Sequence, residues 1–299
     1  MNENINNHIK TSPAEIIFSV FNYTFIAALM FVMIYPLWYV LMASFSDAIE
    51  LSSFSGFLFK PLKFSTAAYR LMMKNPMILR GYGNTLFVLV VGLAINMVMT
   101  CIGAYFTSRK DVMFCRTITL LIIFTMYFSG GMIPFYMTVK GLGLENSLFS
   151  LIIPGAVNTF NLIVLRTAFA SIPPALEESA RLDGAGHLSI IKNVYVPLAL
   201  PSLAVILLYY FVSHWNSWFS ASIFLRDRSM FPLQLIMREI LIQNSTEDML
   251  IGTASDQTNQ VSELIKYALI VASLIPVMCI YPFIQRFFVK GVMIGAVKG

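Results

Sequence analysis

The chain has 299 residues, of which 58% are hydrophobic and 12% charged, and its mean hydropathy is +0.75. Soluble domains carry about 25% charged residues, and so few charges cannot cover a soluble surface of this length, so an integral membrane protein is expected and a soluble globular domain is excluded. The net charge of +5 comes without a basic patch, an RNA-binding signature or zinc-ligand spacing, so it reads as the basic excess of cytoplasmic loops, and nucleic acid is not an expected partner.

Residues 1–15 are polar and form an N-terminal segment. The apolar run after them is longer than the core of a signal peptide, so it is expected to stay as an uncleaved anchor. Six stretches without Asp, Glu, Lys or Arg are long enough to cross a bilayer: 16–46, 84–106, 117–139, 146–165, 198–225 and 267–285. Pro36, Pro134 and Pro276 fall inside them, which requires neighbouring helices to satisfy the freed carbonyls and therefore a packed bundle. Between the spans, residues 47–83 and 226–266 are expected as external loops, and 286–299 as a tail. Lys and Arg divide almost evenly between the two sides, so the positive-inside rule alone does not orient the chain.

Cys101, Cys115 and Cys279 are odd in number and form no CxxC pair, so neither a disulfide nor a metal site is expected. His8, His187 and His214 stand apart from one another and from any ligand cluster; His214, in an apolar run, reads as a packed polar residue or a pore-lining one.

Residues 171–197 read SIPPALEESARLDGAGHLSIIKNVYVP. Pro173 and Pro174 fit a first helical turn, Glu177 and Glu178 lie near the positive end of its dipole, and Glu177 can pair with Arg181 four residues on. Gly184 suits a left-handed cap. A second short helix is expected to about Asn193, with Leu188, Ile191 and Tyr195 along one face, and Pro197 opens the fifth span. Two small helices across a bend make a compact knob on the membrane face.

The spacing Glu178-Ser179-Ala180, three residues, Gly184, nine residues, Val194-Tyr195-Val196-Pro197 resembles the EAA loop of ABC importer permeases. Ser179, Val194 and Val196 depart from that motif's Ala, Ile and Leu with little change in volume. The run Arg181-Leu182-Asp183-Gly184-Ala185 looks like the sugar-importing branch. The ending from Phe288 to Gly299 is similar to permeases paired with carbohydrate-binding lipoproteins in Gram-positive bacteria (the LplC-like group), and its last residues to the second permease of the maltose importer. Ser129-Gly130-Gly131-Met132-Ile133-Pro134 and His214-Trp215-Asn216-Ser217-Trp218-Phe219 match as well.

The resemblance implies an all-α integral membrane protein with six transmembrane helices in the type I ABC importer permease fold. Residues 84–285 would form its five-helix core, including a coupling loop at 166–197. It places the coupling loop and both termini in the cytoplasm of a bacterial cell. It also implies the partners: a second permease, two ATPase subunits, an extracytoplasmic solute-binding lipoprotein, membrane lipid and an oligosaccharide substrate. Glu177, Glu178, Ala180, Arg181, Asp183, Gly184 and Pro197 would couple to the ATPases, with Glu178 pairing a basic residue there. Ala296, Val297, Lys298 and Gly299 would enter between the two ATPase subunits.

The sequence has no GxxxxGK[ST] phosphate loop, so this chain is not expected to be the ATP-hydrolysing subunit; the resemblance implies that it binds no cofactor and that ATP and Mg are held by the partner subunits. No catalytic set points to an enzyme, and no Asp, Glu, Lys or Arg within a span points to a proton-coupled pump. An importer of a non-sugar solute, such as a peptide or polyol, or a secondary transporter is the alternative. Aromatic faces stack on sugar rings and amides bond hydroxyls, so Asn158, Asn161, Trp215, Asn216 and Trp218 are the candidates for the translocation path.

Overall fold

A computed structural model describes residues 12–109, 111–250 and 256–296, which hold helices and no strand. The chain divides into two compact units, Met1–Arg70 with Ala254–Val271 and Leu71–Thr253 with Ala272–Gly299.

In the first unit α1 (Pro13–Ser44) starts at a capping box, where Ser12 Oγ accepts from the Ala14 N–H and Glu15 accepts from the Ser12 N–H. Its side chains are exposed from residue 12 to 34 although most are apolar. A helix apolar on every face meets lipid or another subunit, not water. The segment after it folds back on its end: Trp38 Nε1 donates to the Phe59 carbonyl at 3.1 Å, and Tyr35 Oη accepts the Leu58 N–H at 3.0 Å. Ser46 Oγ accepts from the Leu62 N–H at 3.0 Å. Residues 47–83 are thus not a plain loop. They contain α2 (Ala48–Ser52) and α3 (Ala67–Lys74), and α4 (Pro76–Ser108) begins eight residues before the expected 84. Asn75 caps α4 by accepting the Met77 N–H, and Pro76 takes the first position, where no N–H is missed. Arg80 hid this start, because a long side chain can reach water from within a helix end.

Two other spans are helices long and apolar enough to cross a membrane, α4 and the Leu264–Phe283 part of α14 (Asp256–Ala296). With α1 this gives three; three bent pairs bring the number to six if each pair is one crossing. The expected straight third span is α5 (Cys115–Tyr127) and α6 (Met132–Gly141), bent by 119°. The break falls at Ser129-Gly130-Gly131, where Gly131 has φ +86°, a conformation that side chains with a Cβ avoid. Pro134 therefore sits in the first turn of α6, just after the break, and not in the middle of a straight helix. The fourth span is two 3-10 turns from Leu148 to Gly155 and then α7 (Thr159–Ala170), at 46°.

After α8 (Pro174–Leu182), α9 (His187–Ile190) and the single turn α10 (Val196–Leu198), the chain bends 92° into α11 (Leu200–Trp215). The fifth span stops there, and α12 (Trp218–Phe224) follows a break at Asn216 and Ser217.

The expected loop 226–266 contains α13 (Leu233–Leu250) and the start of α14. Leu233, Leu235 and Ile236 of α13 are buried, and its start is tied to α4: Thr85 Oγ1 accepts the Leu233 N–H at 2.9 Å and Asn84 Nδ2 donates to the Ser229 and Phe231 carbonyls. Residues 286–296, expected as a tail, continue α14 to Ala296, while Val297, Lys298 and Gly299 lie outside the described residues.

The second unit is packed around Tyr105 of α4, Leu162, Leu165 and Phe169 of α7, Ile190, Tyr195, and Leu203 and Ile206 of α11. Gly103 makes the approach of α4 and α7 possible, since a Cβ there would lie 2.7 Å from Leu162 Cδ1. This core joins the surface knob at one end to a cavity at the other.

Candidate functional site

The knob is built as its sequence requires. Pro174 opens α8, and Gly184 closes it at φ +80°, with the Ala185 N–H donating to the Ala180 carbonyl at 2.9 Å. Arg181 Nη2 donates to Glu177 Oε1 at 2.5 Å, four residues back. Glu178, Ser179, Arg181, Leu182 and Asp183 are exposed, Leu182 by 89%. After α9 the backbone passes through a π-helical turn at Ile191–Tyr195, so Ile191 and Tyr195 turn inward while Leu188 is left 74% exposed. Leu188 therefore does not share their face, because the extra residue in that turn breaks the spacing.

Glu177 differs from its neighbour. It is buried, and both its oxygens accept hydrogen bonds: Oε1 from Tyr105 Oη at 2.9 Å and from Arg181, Oε2 from Tyr195 Oη at 2.6 Å. Arg109 Nη1 stands 3.6 Å from Oε1, donates to Tyr105 Oη at 3.1 Å and pairs through its other nitrogens with Asp111. His187 Nδ1 lies 3.0 Å from Tyr105 Oη. Burial disfavours charge on Glu177, but the hydrogen bonds from Tyr195, Arg181 and Tyr105 outweigh it and hold its carboxyl below the usual range. The hydrogen bond from Arg109 lowers Asp111 to about 2.

Carboxyls lowered in the folded state stabilise it fully above their unfolded pKa, and that share is lost as pH falls through the folded value. Amide-exchange protection of α8 is therefore expected to be equal at pH 7 and 5 and to fall below about pH 4. Loss of protection between pH 7 and 5 would contradict this arrangement.

At the other end a cavity of about 960 Å³ opens among α5, α7, α11 and α12. Asn158, Asn161 and Asn216 line it, together with Tyr209, Ser213 and His214. Asn158 caps α7 through the Asn161 N–H, and its own N–H donates to Tyr210 Oη at 2.9 Å. Tyr210 Oη is 2.7 Å from Thr100 Oγ1 of α4. Asn96 of α4 donates to the Gly155 and Ala156 carbonyls at 2.7 and 3.0 Å, and its Oδ1 faces His214 Nε2 at 2.6 Å. Side chains of α4 and α11 thus satisfy the irregular backbone at the break in the fourth span, the condition for such backbone at membrane depth.

Trp215 and Trp218 are not among the lining residues. Trp215 is 3% exposed and stacked on Phe211 with ring centroids 6.0 Å apart. Trp218 carries the Arg238 guanidinium 3.9 Å from its ring centroid. Sequence reasoning passed over Tyr209, Tyr210 and Ser213, whose signal was available: polar tips at helical spacing, beside His214, in an apolar span.

The family described as binding-protein-dependent transport system inner membrane component matches residues 112–294. The polygalacturonan/rhamnogalacturonan transport system permease protein YtcP of Bacillus subtilis (strain 168) is 38% identical over 283 residues, covering 95% of this chain and 99% of that protein. Protein LplC of the same organism is 36% identical over 285 residues, 95% of each. Among solved structures, a bacterial ABC transporter involved in the import of the acidic polysaccharide alginate has a chain that superposes with a TM-score of 0.85 at 32% identity, covering 93% of this chain and 99% of that one. Likeness of this degree along nearly the whole length means that the chain belongs to the binding-protein-dependent transport system inner membrane component family, as a multi-pass inner-membrane permease of a carbohydrate ABC importer.

Proposed function

We propose that this permease carries acidic oligosaccharides across the membrane and is driven by two ATPase subunits that dock on the α8–α9 knob. The observation that carries the reading is the knob itself. It leaves Glu178, Leu182 and Leu188 exposed beyond the helices that pack the core, a charged and apolar surface of the kind a partner's cleft covers. In this reading the knob and both termini are cytoplasmic. Ala180, Arg181, Asp183, Gly184 and Pro197 shape the docking element, and the residues from Ala296 to Gly299 reach between the ATPases. ATP and Mg belong to those subunits, and the chemistry of hydrolysis is theirs. A second permease completes the path, and an extracytoplasmic lipoprotein delivers the sugar.

The substrate class is supported by the relatives, of which one is named for polygalacturonan and rhamnogalacturonan transport and another is involved in alginate import. It is also supported by the cavity, where amides and hydroxyls can bond ring hydroxyls and carboxylates, and Tyr209 can stack on a sugar face. Ser217 Oγ in its wall is buried with no hydrogen-bond partner among the described residues, as a group waiting for a ligand would be.

The test is copurification with candidate partners, followed by lipoprotein-dependent ATPase assays across acidic and neutral oligosaccharides. Stimulation by oligogalacturonates above maltodextrins supports the reading, and stimulation by neutral sugars alone rejects the acidic substrate. Asn161→Ala is expected to raise the half-saturating sugar concentration about tenfold, the loss of one or two buried hydrogen bonds. An unchanged value would take Asn161 out of the path.

A further inference from the structure

Of the two adjacent carboxylates on α8, Glu178 points to solvent and Glu177 is turned into the protein. A carboxylate with both oxygens occupied by Tyr105, Tyr195 and Arg181 has little left to offer a docking partner. It has instead a mechanical position. Most of α8 is exposed; Glu177 is its one buried residue, with Ala180 half-buried against the core.

Tyr105 stands on α4, and α4 also holds the cavity wall: Thr100 meets Tyr210, and Asn96 meets His214 and the broken backbone of the fourth span. Tyr195 stands in the π-helical turn that α10 joins to α11, and α11 lines the cavity through Tyr209, Tyr210, Ser213 and His214. Glu177 therefore ties the knob to α4, whose side chains hold lining residues in place, and to the segment that leads into α11. Removing a buried charge from its partners is costly, so the tie resists pulling in a way that exposed ion pairs do not.

We infer that Glu177 is a positioning residue that transmits movement of the knob through Tyr105 to α4 and through Tyr195 to α11, so that ATPase closure reshapes the cavity. The inference rests on the coupling role proposed above and assigns Glu177 to transmission rather than to docking. The test measures the coupling directly.

The transporter is assembled from this chain and the second permease, ATPases and lipoprotein that copurify with it, in wild-type, Glu177→Gln, Glu177→Asp, Tyr105→Phe and Glu177→Gln/Tyr105→Phe forms. Two quantities are read: ATPase recovered on the complex, and oligosaccharide taken up per ATP hydrolysed. Glu177→Gln is expected to keep the ATPases bound while uptake per ATP falls about tenfold, within the usual range of coupling between sites. Tyr105→Phe should fall less and in the same direction, Glu177→Asp should recover part of the loss, and the double variant should be no worse than Glu177→Gln.

Wild-type uptake per ATP in Glu177→Gln, or loss of bound ATPase from it, would overturn the inference. If Glu177→Gln does not reach the membrane, Tyr105→Phe decides in the same way. A wild-type complex with no lipoprotein-dependent hydrolysis would defeat the coupling reading itself. Normal wild-type hydrolysis with unaltered variants would remove only the role of Glu177.

Discussion

Gly184→Val is expected to abolish transport while the protein still accumulates in the membrane. Gly184 has φ +80°, and a Cβ built there meets nothing within 4 Å. The effect is thus one of backbone strain and not of crowding: a β-branched residue resists the left-handed region, at a cost of roughly 1–3 kcal/mol. The easiest relief is to open the bend between α8 and α9, which displaces the knob without touching the spans. Asn tolerates this conformation, so Gly184→Asn should transport at close to the wild-type rate. The measurement is uptake into vesicles beside the amount of protein in the membrane. Full transport by Gly184→Val would show that the bend need not be held, and equal failure of Gly184→Asn would mean that lost space, not strain, is responsible.

Glu178→Lys is expected to lower recovery of the ATPases with the permease by tenfold or more, on the order of 1.4 kcal/mol. Glu178 is exposed, and no ion pair with it is recorded among the described residues, so its charge is available to a partner. Reversing it places like charges together at the docking cleft, whereas Glu178→Gln only removes an attraction and should cost less. Both losses should shrink as salt is raised, because rim charges are screened. Recovery equal to wild type for Glu178→Lys would put the docking contact elsewhere on the knob.

The parts of this fold legible in the sequence are those set by local physics. The apolar run of α1, the left-handed Gly184 and the i,i+4 pair of Glu177 and Arg181 depend on near neighbours and occur where the residues put them. The bends are hidden because hydropathy records how apolar a stretch is and not its direction: residues 117–139 carry no charge, yet Gly131 turns the chain there. Charges and amides crowd the sequence of α13 and make it read as a loop, although Leu233 and Ile236 are enough to seat its start on α4.

At the candidate site, Trp215 drew attention as an aromatic, but stacking on Phe211 places it in the core. Arg181 is the one partner of Glu177 that is legible locally; Tyr105 is 72 residues away and only folding brings it within 2.9 Å. Arg109, four residues past Tyr105 at the end of an uncharged span, was the trace that a buried acid lay nearby.

Uptake into vesicles holding the assembled transporter shows whether work done by ATPases on the knob moves an acidic oligosaccharide through this permease. ATP is sealed inside, and lipoprotein loaded with a labelled oligogalacturonate is supplied outside. Accumulation is expected to require both ATP and lipoprotein and to be lost with Gly184→Val. Accumulation that proceeds without ATP, or that is unaffected by Gly184→Val, would contradict it.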